Sequence, residues 1–241
     1  MRTILVDWLL EVHYKFKLVP QTLWLCVSIL DRYLEKVPVE RTKLQLVGVA
    51  SLLLACKYEE SGPPEVKDCI FITDYAYDRS EILAMERSIL TKLNYELCVP
   101  TGYHFLTKYL QITNGSDKLK FVSYYFAERN LQEYDVLDDK PHVFAAASLY
   151  LALSQMSQSN ITQLFELEGT GIEALPSVWT PELVQETKLT EAELIPIAQR
   201  MLGHIAEEPV TASKRLLIAA RKKYNVDKYF YVSSLLLPTI R

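Results

Sequence analysis

Most of the features by which a sequence announces its chemistry are missing from this one. It holds four cysteines in 241 residues, Cys26, Cys56, Cys69 and Cys98. None stand at CxxC spacing and none have a histidine at ligand spacing, which removes the usual zinc patterns and favours reduced thiols inside a cell. No metal or other cofactor is expected. No run of about 18 apolar residues suggests a membrane span, and no basic stretch leads into an apolar segment and cleavage site, so neither a membrane partner nor secretion is expected. Lys and Arg number 26 against 30 Asp and Glu, a net charge of −4. With no basic block in the chain, a nucleic-acid partner is not expected either. There is no GxSxG, HExxH or P-loop pattern, and the Gly169–Thr170–Gly171 step has no strand before it. His13, His104, His142 and His204 are scattered with no partner evident. The neighbours Asp138 and Asp139 read as a solvated helix start. These absences predict a protein that is not an enzyme.

Period-two alternation is nearly absent as well, and apolar residues instead recur at three and four. The spacing predicts helices over 2–17, 21–36, 41–59, 64–73, 79–94, 101–111, 117–134, 141–155, 181–187, 191–206 and 212–224. Pro63 and Pro64 cannot continue one helix but can start the next. Asp78 with Glu81, and Thr190 with Glu193, are N-cap and N3 pairs, and Pro181 follows Thr180 as N1 follows N-cap. The fold class is all-α.

A repeat organises the chain. "ASLLLA" at 50–55 returns as "ASLYLA" at 147–152, each inside a helix rich in small residues and apolar nearly all round, the signature of a buried helix. Two helical domains of similar design follow, 1–98 and 99–241, joined near Val99–Pro100, with an insert near 159–178. Only the first repeat ends in charge, "CKYEE" at 56–60, against "LSQMS" in the second. Lys57 therefore has no counterpart, and function is expected in the first domain. Glu86, within "ILAMERSIL", is its candidate partner: an ordinary salt bridge, or a charged pair set in an apolar surface to receive backbone groups of another protein. The opening segment "MRTILVDW" raises a second question. It places Met1, Ile4, Leu5 and Trp8 on one helical face with no capping residue before it, and that face is either core or a docking surface.

"MRTILVDWL", "KLQLVGVASLLLACKYEE", "PPEV", "FITDYAY", "MERSILTKLNYEL" and "KYFYVSSLLLP" resemble the cyclin box of mitotic cyclins, in order and over the whole chain. "KFKL" and "ACKYEE" are closer to the B type than the A type. The resemblance implies two tandem five-helix cyclin boxes in a regulatory subunit that binds and activates a cyclin-dependent serine/threonine kinase in cell division, in nucleus and cytoplasm. It implies a structural pair, Arg2 with Asp31, and a kinase-binding set: Lys57 and Glu86, with Leu54, Tyr58, Leu90, Tyr95 and Leu97 around them. It further implies a groove for substrates and inhibitors bearing an Arg-x-Leu motif, lined by Met1, Ile4, Leu5, Trp8 and Leu44 with polar contacts from Glu11 and Gln45. A further helix and a destruction-signal tail are expected ahead of the Met1 position, so Met1 is expected to be an internal methionine. The rival within the fold is a transcription-factor or adaptor module of the TFIIB or retinoblastoma kind, which has no use for Lys57 and Glu86.

Overall fold

The computed structural model describes residues 1–157, 177–206 and 217–235, and among these there is no strand. The chain divides into two compact units, Met1–Tyr103 and His104–Arg241.

The first unit is built on five helices: α1 (Arg2–Lys15), α2 (Pro20–Lys36), α3 (Leu44–Glu59), α4 (Val66–Ile72) and α5 (Arg79–Lys92). The other four all pack on α3. Every residue of α3 from Leu46 to Cys56 is buried, as expected of a helix without a polar face. Small side chains make this crowding possible. A Cβ added at Gly48 would lie 2.8 Å from Leu5 Cδ1, so a side chain at position 48 would force Leu5 to shift where α1 crosses α3.

Local signals set the helix ends. Asp78 and Glu81 form the expected capping box at α5. At α4 the box is Glu65 with Asp68, so the helix begins at Val66 and not at Pro64. A side-chain acceptor on the residue after the prolines decided that start. α1 has no side-chain cap, as its first residues predicted. α2 has Val19 at its N-cap, which carries no acceptor. The acceptor comes instead from Glu60 at the end of α3: its Oε1 takes the Val19 N–H at 2.8 Å and the Thr22 hydroxyl at 2.6 Å.

The second unit repeats the plan around α8 (Pro141–Met156). α7 (Asp117–Leu131), α9 (Pro181–Thr187) and α10 (Glu191–Ala206) pack on it. Before them comes α6 (Gly102–Ile112), which starts at the unit boundary, and after them the short α11 (Ala219–Tyr224) and α12 (Val232–Leu235). The helix expected over 212–224 begins, within the described residues, only at Ala219; residues 212–216 lie outside them. Of the insert near 159–178, only Ser177 and Val178 fall within the described residues. Thr180 and Thr190 act at the starts of α9 and α10 as expected, Thr180 accepting from the Leu183 N–H and Thr190 N–H donating to Glu193 at 2.8 Å.

Candidate functional site

The C-terminal turn of α3 carries Lys57, where a cation suits the partial negative charge of the helix end. Its Nζ donates to Glu86 Oε1 at 2.5 Å. The two ends of the pair sit differently. Glu86 lies on the inner side of α5 between Ile82 and Ile89 with 11% of its side chain exposed, whereas 47% of the Lys57 side chain is exposed. The carboxylate is thus fixed in an apolar wall while its cation remains reachable.

The residues around this pair fall into two sets. Tyr58 and Tyr95 point outward, 53% and 70% exposed, and Leu90 and Leu97 are half-buried beside them. Leu54 is buried. It supports the face from beneath and presents little of itself to a partner, because it sits one turn deeper in α3 than Tyr58. Tyr95 reaches its position through backbone strain. Asn94 and Tyr95 have φ of 51° and 60°, and the Tyr95 N–H closes on the Leu90 carbonyl at 2.9 Å, a reversal that ends α5 and turns the ring out. A left-handed tyrosine costs about 1–2 kcal/mol, and strain of this kind concentrates where function needs a particular presentation.

Cys98 was not among the expected site residues, and no spacing in the sequence marks it. Its thiol is exposed and hydrogen-bonds the Tyr58 phenol, the main cause of that phenol's raised pKa. The other three thiols are buried. Burial is the leading cause that pushes Cys56 up to about 12 and Cys69 to about 11, so they behave as small apolar side chains.

The face of α1 is divided between core and surface. Leu5 is buried over Gly48, so it is spent on helix packing and does not line an open groove. Trp8 is half-buried and packs on the cluster of Leu46, Val49, Leu53, Cys69, Tyr77 and Ile82. Met1 and Glu11 are exposed; Ile4, Leu44 and Gln45 are half-buried. The opposite face of the helix, Val6, Leu9 and Leu10, supplies core in full. Arg2 and Asp31 meet in a two-pronged ion pair, 2.7 and 2.9 Å, which fastens the start of α1 to α2.

The histidines have partners that the sequence did not show. His13 Nε2 bonds the Val19 carbonyl at 2.9 Å, His142 lies against Phe105 with ring centroids 5.8 Å apart, and His204 bridges Asn130 and Asp135. Asp139 is also not a solvated helix start: it pairs with Arg200. Among the described residues no group of His, Cys, Asp or Glu is arranged to hold a metal ion, and no helix is long and apolar enough to cross a membrane.

Comparison with known proteins agrees with the two-unit helical fold. The cyclin N-terminal domain matches residues 1–98 and the cyclin C-terminal domain residues 100–238. Cyclin-B1-1 of Oryza sativa subsp. japonica is 39% identical over 233 residues, 95% of this chain and 47% of the relative. Cyclin-B1-1 of Arabidopsis thaliana is 37% identical over 235 residues, 97% of this chain and 51% of the relative. Cyclin-B2-2 of Oryza sativa subsp. indica is 49% identical over 152 residues, 63% of this chain and 36% of the relative. The chain thus spans about half the length, or less, of these curated relatives. A viral cyclin from herpesvirus saimiri shares the fold, with a TM-score of 0.69 at 20% identity, covering 86% of this chain and 84% of that one.

Proposed function

Since this chain belongs to the cyclin family, we propose that it is a mitotic, B-type regulatory subunit. In this reading its first unit binds a cyclin-dependent serine/threonine kinase and activates it, and the chain itself carries no catalytic group. The observation that carries the reading is the Lys57–Glu86 pair: one charge anchored in the α5 wall, the other reachable, and two outward tyrosines beside them. Such a pair can offer an ammonium donor and a carboxylate acceptor to the end of a partner helix while Tyr58, Leu90, Tyr95 and Leu97 cover apolar surface around it. A subunit that grips the regulatory helix of a kinase holds the kinase's own glutamate against its ATP-binding lysine, and that is how it activates. Exposed parts of α1 and of the α3 start, Met1, Ile4, Trp8, Glu11, Leu44 and Gln45, form a second surface in the same unit. It would take the leucine of an Arg-x-Leu segment on Ile4 and Trp8 and its arginine at Glu11. The reading carries with it residence in nucleus and cytoplasm and a role in cell-cycle progression at entry to mitosis.

The test is retention of a cyclin-dependent kinase from cell extract on the immobilised chain, followed by histone phosphorylation by the retained complex. Kinase activity that depends on the chain supports the reading. A folded chain that neither retains nor activates a kinase overturns it.

A further inference from the structure

In the second unit, the 3-10 turn after α7 (Asp135–Asp138) is tied to α10 by a cluster of charges. Three acids and two guanidinium groups meet there. Arg200 pairs with Asp139 and reaches Asp135 at 3.5 Å. Arg129 pairs with Glu133 at 2.5 Å and also donates to the His204 backbone carbonyl at 2.8 Å. α8, which packs on α10 as well, carries no charged side chain from Val143 to Met156. Without a charge on His204 the cluster is one negative charge in excess.

Hydrogen-bond bookkeeping decides the state of the ring. Asn130 is fully buried and its amide nitrogen donates to the Phe126 carbonyl at 2.9 Å. Its oxygen therefore faces His204 Nδ1, 2.8 Å away, and an amide oxygen only accepts. Turning the amide over would set two oxygens against each other at the Phe126 carbonyl, inside the protein. Nδ1 must therefore carry hydrogen. On the other side, Nε2 lies 3.0 Å from Asp135 Oδ2. An ionised carboxylate, like the amide oxygen, only accepts. Nε2 must carry hydrogen too.

We infer that His204 stands in the folded second unit as a doubly protonated ring, a cation whose two N–H groups clamp the Asp135 turn onto α10 through Asn130 and Asp135.

The test is ¹⁵N NMR of the histidine ring nitrogens in the whole chain at neutral pH, with Asp135→Asn as the comparison. The expected result is two protonated nitrogens for His204 in the parent and one bare nitrogen in the variant, whose amide can donate to a neutral ring. A bare nitrogen on His204 in the parent overturns the inference. If the variant does not fold, the parent spectrum alone decides between the two.

Discussion

The two units build the same device, a helix of small and apolar residues wrapped by others, and differ in what stands at the end of that helix. In the first unit α3 ends in Lys57, which reaches Glu86 while keeping half its side chain in water. In the second unit α8 ends in Ser154, Gln155 and Met156 without charge, and its principal ion pair lies inside. Lys223 of α11 meets both oxygens of Glu128 of α7 at 2.7 Å, with side chains 5% and 1% exposed. A pair sunk in the core holds helices to each other and is spent there. A pair left at the end of the central helix remains free to meet another molecule. The same ion-pair chemistry is therefore structural in Lys223–Glu128, as it is in Arg2–Asp31 of the first unit, and available in Lys57–Glu86, and exposure tells them apart.

The largest effect that would break this contrast comes from the buried pair. Lys223→Met strands Glu128 without a counter-charge, a loss of about 3–5 kcal/mol, and the melting transition of the second unit should fall accordingly. Replacing both residues by apolar ones of similar size should restore most of it. A Lys223→Met chain that melts like the parent would mean that the interior pair holds nothing. For the exposed pair the readout moves from stability to binding. Lys57→Ala leaves the Glu86 carboxylate without this donor and should cost about 1–3 kcal/mol of stability, less than loss of the buried pair, and weaken kinase binding by about 2–5 kcal/mol, seen as lost retention and lost histone phosphorylation. Full activation by a folded Lys57→Ala chain would remove the pair from the interface.

Trp8→Ala tests the second surface. Phosphorylation of a protein bearing Arg-x-Leu should fall roughly tenfold to a hundredfold, while a short peptide with only the phosphorylation site is unaffected. Because Trp8 also packs on the α3–α5 core, both substrates must be compared on one preparation of known melting temperature; equal loss on both assigns the ring to the core alone. The smallest effect sets one glycine of each unit against the other. Gly48→Ala pushes a methyl into Leu5 and should cost about 1 kcal/mol. Gly203→Ala, in α10 with nothing within 4 Å of the added methyl, should gain up to about 1 kcal/mol in helix propensity. Paired melting curves should move in opposite directions.

Local and periodic features of the fold were legible in the sequence. Two central helices could be read because a helix without a polar face has only one place to be. The boxes at Asp78 and Thr190 could be read because cap and partner stand three residues apart. Contacts across the fold were not legible. Lys223 and Glu128 are separated by 95 residues, and nothing in "ARKKY" says which lysine faces inward. Leu5 looked like groove lining because its burial depends on Gly48, a residue on another helix. Pro64 looked like a helix start because proline is a strong signal, and Glu65 just after it is a stronger one. Of the candidate site, Lys57 and Glu86 were found through an asymmetry between repeats. Cys98 left no trace because its link to Tyr58 is purely spatial.

Glu60 has a consequence for the order in which the chain is made. The first turn of α2 needs an acceptor that its own sequence does not carry, and that acceptor lies 41 residues downstream of Val19. On a ribosome adding about 5–20 residues per second, α2 waits roughly 2–8 s for the group that completes its start. During that interval its apolar face has neither a finished end nor α3 to lie against. The start of α2 is thus closed by a group that the chain supplies only after α3 is complete.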